Sequence, residues 1–199
     1  HGVESDQDLI PLLQKATVIA IGPGLGQSPW AQQLLSRVID SEKPLVVDAD
    51  ALNLVAARPH KRGRWIFTPH PGEAARLLGW SGEQVQLDRF RAVNAISEQY
   101  NCIAVLKGAG SLVQAAQESS VYLCREGNPG MATAGMGDVL TGVIAGLLAQ
   151  GLSLVDAARS GVFVHAAAAD LAARQGQRGL LATDLYPHLR VLVNPPDVS

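Results

Sequence analysis

The stretch Leu45-Val46-Val47-Asp48-Ala49-Asp50-Ala51-Leu52-Asn53-Leu54-Val55-Ala56-Ala57 passes from a continuous apolar run, through a carboxylate pair, into an Ala/Leu-rich helical pattern. It reads as a strand over Leu45–Val47, a turn at Asp48-Ala49-Asp50 and a short helix over Ala51–Ala57. A strand with no polar alternation is buried on both faces, as in a parallel sheet covered by helices. The same unit recurs outward from it. Thr17–Ile21 runs into Gly22-Pro23-Gly24-Leu25-Gly26 and a helical stretch from Trp30 to Ile39. Trp65–Phe67 runs into Thr68-Pro69-His70-Pro71-Gly72-Glu73 and a helix to Leu78. After a helix over Asp88–Gln99, Cys102–Leu106 runs into Lys107-Gly108-Ala109-Gly110-Ser111. Ser111–Gln114 and Val121–Cys124 fit an antiparallel pair around Ala115–Ser120. A loop over Asn128–Met136 then leads to helices Gly137–Gln150 and Leu154–Gln175. A last helix over Thr183–Val193 has Thr183-Asp184 as its cap signal. The fold class is α/β: three layers, with a mainly parallel central sheet. Ligands in such sheets bind beyond the carboxyl ends of the strands, where four of these runs end in Gly, Pro or charged clusters.

The 199 residues are 47% apolar and 17% charged, and carry 16 basic and 18 acidic side chains for a net charge of −2. That balance argues against nucleic acid or an anionic membrane as partner. Val139–Ala149, the longest apolar stretch, is interrupted by Thr and Gly and falls short of the ~20 residues of a membrane helix. No targeting peptide is visible. Cys102 and Cys124 have no metal-site spacing and fit buried free thiols in a reducing, cytoplasmic setting. The chain begins at His1 in a polar segment, His1–Asp8, and the expectation is one domain over 1–199, truncated at its N-terminus.

Five segments carry chemistry. Gly130-Met131-Ala132-Thr133-Ala134-Gly135-Met136-Gly137-Asp138 precedes a helix, so the N–H groups of Gly135 to Asp138 form an anion site at a helix N-terminus. Asp138 fits two roles: a helix-terminal carboxylate, or a base that takes a proton from an attacking hydroxyl while the N–H groups hold a phosphoryl group. In Thr68–Glu73 two prolines fix the backbone around His70, which can hydrogen-bond a substrate. Glu73 there can cap the helix or steer a hydrated magnesium ion. Lys107–Ser111 is not a Walker loop, because its Lys precedes the glycines, yet it suits nucleotide phosphates. Gly22–Gly26 reads as a turn that misses the dinucleotide spacing. Asp48 ends a strand at the active edge, and Asp50 fits a helix cap. Gly142 and Gly146, and Gly161 with Ala157 and Ala158, read as close helix packing. His165 reads as a packed core histidine.

In order, "IGPGLGQ" (21–27), "VVDADALNLV" (46–55), "FTPHPGEAARLLG" (67–79), "VLKGAGSLV" (105–113) and "GNPGMATAGMGDVLTGVIAGLLAQG" (127–151) resemble the catalytic part of bacterial ADP/ATP-dependent NAD(P)H-hydrate dehydratases. The resemblance runs from Thr17 to the C-terminal helix and implies a ribokinase-like fold. It implies dehydration of NADHX or NADPHX to NADH or NADPH with ADP or ATP as co-substrate, and Mg2+ as cofactor. The route is phosphorylation of the C6 hydroxyl, then loss of phosphate. Asp138 would be the catalytic base. Gly24, His70 and Asp138 would contact the hydrated cofactor. Lys107, Gly108, Ala109, Gly110, Ser111, Gly135, Met136 and Gly137 would hold the nucleotide, with Asp48, Asn53 and Glu73 in support. No metal ligand is assigned. The resemblance also implies a homo-oligomer and, in the parent protein, a fused epimerase domain. Family members carry a further strand, loop and helix before the GPG motif, so this N-terminal strand and helix are expected to be missing here. Two alternatives stand beside this reading: a small-molecule hydroxyl kinase of the same fold, and a nucleotide-binding fragment without turnover.

Overall fold

The computed structural model describes residues 3–61, 63–116 and 118–194. His1 and Gly2 of the polar segment, and Gln117 between the two antiparallel strands, lie outside the described residues. In chain order the elements are α1 (Asp6–Lys15), β1 (Ile19–Ile21), α2 (Pro29–Asp40), β2 (Leu45–Val47), α3 (Ala49–Ala57), β3 (Trp65–Phe67), α4 (Pro71–Leu78), α5 (Gly82–Leu87), α6 (Arg89–Tyr100), β4 (Ile103–Leu106), β5 (Leu112–Ala115), β6 (Tyr122–Leu123), α7 (Met136–Ala149), α8 (Leu154–Ala172) and α9 (Tyr186–Leu192).

The sheet has the order β1-β2-β3-β4-β5-β6. Its first four strands are parallel, and β5 and β6 extend it antiparallel. Side chains on a strand alternate between faces, and here both faces are apolar. Leu45, Val47, Trp65, Phe67, Ala104 and Leu106 enter one core with α2 to α6. Val46, Ile66, Ile103 and Val105 enter a second core with α7 and α8. This double burial is why the strands carry no polar alternation. In the first core Phe67 packs between Trp65 and Tyr100, with ring centroids 5.3 Å apart in both pairs. The buried Tyr100 hydroxyl donates to the Leu77 carbonyl at 2.8 Å.

Several local expectations change. Residues 6–15, the first three of them inside the polar segment, form α1, whose cap is the Ser5 side chain accepting from the Asp8 N–H. The expected Thr183–Val193 helix begins at Tyr186, because Ala182–Leu185 is a 3₁₀ turn in which Asp184 accepts from the Leu181 N–H at 2.8 Å. The two kinds of helical glycine also differ. At Gly161 a Cβ would lie 2.5 Å from Ile144 Cγ1, so α7 and α8 cross there without side-chain clearance. At Gly142 and Gly146, both exposed, a Cβ would meet nothing within 4 Å. The expectation of close packing at those two positions is therefore corrected.

Opposite outcomes follow for one chemical change. Gly142→Ala and Gly146→Ala are expected to stabilise by roughly 0.5–1 kcal/mol each, through helix propensity. Gly161→Ala is expected to destabilise by about 1–3 kcal/mol, through overpacking. Urea unfolding of the three variants checks both signs.

Candidate active site

Because β1 to β4 are parallel, their C-terminal ends deliver Gly22, Asp48, Thr68 and Lys107 to one edge of the sheet. Asp48 is buried, with 1% exposure. A buried carboxylate needs partners for both oxygens, and Asp48 has them. Its Oδ1 accepts from Lys107 Nζ at 2.7 Å, and its Oδ2 from the Thr141 hydroxyl at 2.8 Å. Strands β2 and β4 are separated by β3, a distance of about 10 Å, so only a long side chain bridges them. Lys107 does so across the end of β3, its N–H bonded to the Pro69 carbonyl at 2.9 Å. A Cβ on Gly137 would lie 3.2 Å from Lys107 Nζ and 3.8 Å from Asp48 Oδ2. The first turn of α7 therefore rests on this ion pair. Thr141, one turn further along α7, was not singled out in the sequence, where 93 positions separate it from Asp48.

At the end of β3, His70 is the N-cap of α4. Its Nδ1 accepts from the N–H of Gly72 at 2.9 Å and of Glu73 at 3.4 Å, while Glu73 Oε2 accepts from the His70 N–H at 2.8 Å. Accepting through Nδ1 puts the imidazole proton on Nε2. Nε2 lies 3.4 Å from Glu73 Oε1, on a side chain that is 51% exposed. Glu73 is buried and lies 3.9 Å from Lys107, so the capping carboxylate also faces the ion pair.

α7 begins at Gly135 (φ +83°) with no side-chain cap. The first N–H groups of a helix have no intrahelical acceptor, and at the α7 N-cap no side chain among the described residues accepts from them. Met136 is buried, Gly137 half-buried and Asp138 exposed. Behind this turn, on α8, His165 is 5% exposed and its Nε2 has no hydrogen-bond partner among the described residues. Burial pushes its pKa down to about 4; a hydrogen bond with the Met136 backbone opposes the shift and the Lys107 charge adds to it.

The two remaining loops flank this centre. Gly22 (φ +133°) is pressed on the Asp48 peptide, where a Cβ would stand 1.7 Å from the carbonyl oxygen. Gly24 lies in the open part of that loop. Asp50 does not cap α3: its carboxylate accepts from the Gly26 N–H at 2.8 Å and ties the loop to the helix start. In Lys107–Ser111, Arg89 Nη1 donates to the Ala109 carbonyl at 2.6 Å and Nη2 to the Leu106 carbonyl at 3.3 Å. The Ser111 hydroxyl donates back to the Gly108 carbonyl at 3.4 Å. Arg89, absent from the sequence reading, shows only as a basic residue next to the Asp88 cap. Asn53 stands apart, its Oδ1 accepting from Arg76 at 3.1 Å between α3 and α4. Both cysteines are buried free thiols, with the Cys124 pKa pushed up to about 12 chiefly by burial.

His165 gives a signed pH prediction. The folded chain keeps the ring neutral down to about pH 4, whereas the unfolded chain takes up its proton near the ordinary value of 6.5. Its contribution is full above pH 6.5 and is lost as pH falls through the window to 4. The loss amounts to up to about 3 kcal/mol. Stability measured from pH 7 to 4 is expected to fall less steeply in His165→Asn than in the parent; equal slopes would contradict a buried neutral ring.

Comparison with known proteins identifies the frame. The sequence profile of the NAD(P)H-hydrate dehydratase family matches residues 1–190. The bifunctional NAD(P)H-hydrate repair enzyme Nnr of Coxiella burnetii is 58% identical over 98% of this chain, and the chain spans 40% of that protein. The ADP-dependent (S)-NAD(P)H-hydrate dehydratase of Neisseria meningitidis is 41% identical over 94% of this chain, which spans 66% of it. The crystal structure of the ADP/ATP-dependent NAD(P)H-hydrate dehydratase of Bacillus subtilis, co-crystallised with ATP/Mg2+, superposes with a TM-score of 0.80 at 32% identity, covering 87% of this chain and 62% of that one. The architecture is ribokinase-like. With a strand edge built around Asp48 and Lys107 and the open start of α7 beside it, this chain belongs to the NAD(P)H-hydrate dehydratase family.

Proposed function

We propose that the chain performs the ADP- or ATP-dependent dehydration of NADHX and NADPHX to NADH and NADPH, releasing phosphate and AMP or ADP. The observation that carries this reading is the uncapped N-terminus of α7 seated on the Lys107–Asp48 pair. It offers N–H donors to an anion, a cation behind them and an exposed carboxylate, Asp138, in the same turn.

In this reading the C6 hydroxyl of the hydrated ring gives its proton to Asp138 as its oxygen bonds the terminal phosphorus. The phosphoanhydride bond breaks, and AMP leaves from ADP or ADP from ATP. The C6–O bond then breaks with phosphate as leaving group, a proton leaves C5, and the ring double bond re-forms. Gly135, Met136 and Gly137 cradle the transferred group, and Lys107 to Ser111 hold the nucleotide phosphates. Gly24 and His70 face the hydrated cofactor, with Asp48 positioning Lys107. Among the described residues no three His, Cys, Asp or Glu converge on one point. The donors present fit magnesium carried by phosphate oxygens and water and steered by Glu73. Bound there, the ion would neutralise phosphate charge. Asn53 is kept only as an outer brace of α3 against α4.

The name of the Neisseria relative favours ADP as donor, and the word "bifunctional" in that of the Coxiella relative suits an epimerase domain in the parent protein. Single-domain organisation over 1–199, a cytoplasmic setting and a homo-oligomer belong to the same proposal. Among the described residues no helix is long and apolar enough to cross a membrane.

The test is a coupled assay of hydrated NADH with magnesium and ADP or ATP, following recovery of reduced-nicotinamide absorbance together with phosphate. Recovery matched by phosphate release is expected; a stable phosphorylated product would indicate a hydroxyl kinase, and nucleotide binding without turnover an inactive fragment. Asp138→Asn is expected to lower kcat by roughly 10²–10⁴-fold while nucleotide binding persists. Lys107→Ala is expected to raise the nucleotide KM, and an unchanged KM would move the nucleotide elsewhere.

A further inference from the structure

Between β6 and α7 the chain runs from Cys124 to Gly135 with a single 3₁₀ turn, Pro129–Met131, as regular structure. This connection delivers the start of α7, and something must hold it. Asp170, on α8, receives it with both carboxylate oxygens. Oδ2 accepts from the Gly127 N–H at 2.9 Å, and Oδ1 accepts from Asn128 Nδ2, also at 2.9 Å. The other end of the Asn128 amide is engaged too: Oδ1 accepts from the Gly130 N–H at 3.0 Å and caps the 3₁₀ turn. Behind Gly130 there is no room for a side chain, since a Cβ would stand 2.6 Å from the Gln177 carbonyl oxygen. The connection is thus wedged between Asp170 and the turn that follows α8.

We propose that Asp170 is a positioning residue for the phosphoryl-transfer site, acting through Asn128 to set where Gly135–Asp138 stand relative to Lys107. The proposal rests on the reading of that segment as the phosphoryl site. Its chemistry is specific, because the amide of Asn128 must donate on one side and accept on the other. Asp170→Asn sets two amide groups together, and whichever way they turn, one N–H faces another N–H. Asn128→Asp sets two carboxylates together. The double variant Asn128→Asp/Asp170→Asn reverses the joint and restores all three bonds: the amide at 170 accepts from Gly127 and donates to the carboxylate at 128, which accepts from Gly130.

The experiment compares the two single variants and the double variant in the full chain, reading hydrated-NADH turnover, Tm and hydrogen exchange by segment. Each single variant is expected to lose about 10–100-fold in kcat, with any rise in ADP KM clearly smaller than that loss, because the attacking geometry shifts while Lys107–Ser111 still hold the nucleotide. Exchange is expected to quicken over 127–138 and not over 107–111. The double variant is expected to regain parental exchange, and a kcat within about threefold of parent. Parental kcat and exchange in both single variants would overturn the proposal. So would a folded double variant as slow as the single ones, or a rise in ADP KM that matches the fall in kcat. If the single variants do not fold, the double variant decides: folded and fast supports the joint, folded and slow refutes it. Absence of turnover in the parent chain would count against the functional reading alone, and the exchange pattern would still decide the joint.

Discussion

Lys107 reaches from the end of β4 across the end of β3 to a carboxylate at the end of β2, and the carboxyl edge of the sheet is arranged around that bridge. Asp48 carries a charge at 1% exposure, which is tolerable only with both oxygens engaged. One is taken by the ammonium group and the other by Thr141 from the opposite helical layer. The bridge therefore ties the ends of β2 and β4 together across β3 and seats α7 on both. Removing one partner of such a buried pair costs about 3–5 kcal/mol, because the other is left charged and unpaired.

Four helices begin at this edge, and their N-termini are satisfied differently. α2 is capped by Ser28, whose side chain accepts from the Ala31 N–H. α4 is closed by the reciprocal His70–Glu73 cap. α3 starts at Asp48, whose side chain gives no cap because Lys107 and Thr141 occupy it. α7 starts at a glycine, with no side chain to offer. Uncapped donors thus remain at the starts of both α3 and α7; at α3 the Asp48 carboxylate stands beside them, whereas α7 begins at a glycine and rests on the Lys107 ammonium group. Asp138 lies in that same first turn of α7. The glycines are required by contact: Gly137 sits where a side chain would crowd Lys107, and Gly22 where one would collide with the Asp48 peptide.

The strands and most of the helices were legible in the sequence because their signals are local. Trp65–Phe67 and Leu45–Val47 match the observed strands residue for residue, since buried parallel strands are continuous apolar runs. The antiparallel pairing of β5 with β6 was also legible. The turns that end the strands marked the edge, and the resemblance named the family. What the sequence concealed are bonds between positions remote along the chain. Thr141 and Arg89 look like an ordinary helical threonine and a surface arginine until the fold brings them to Asp48 and to the Leu106–Ala109 turn. Asp170 is hidden in the same way, with 42 positions between it and Asn128. Gly142 and Gly146 misled for the opposite reason, because i, i+4 glycine spacing is a packing signal whether or not a neighbour faces it. Asp184 resembled a helix cap because a 3₁₀ turn uses the same carboxylate-to-N–H bond one step before the helix.

In the proposed reaction, the edge built around Lys107, Asp48 and the start of α7 transfers a phosphoryl group to the substrate hydroxyl before dehydration. The most direct measurement is an isotope trace with hydrated NADH carrying heavy oxygen in its C6 hydroxyl, run in ordinary water with ADP or ATP. Transfer to the hydroxyl followed by C–O cleavage requires the label to appear in the inorganic phosphate, one heavy oxygen per NADH formed. Label appearing in water, with unlabelled phosphate, would mean that the nucleotide is hydrolysed apart from the dehydration and would contradict the account.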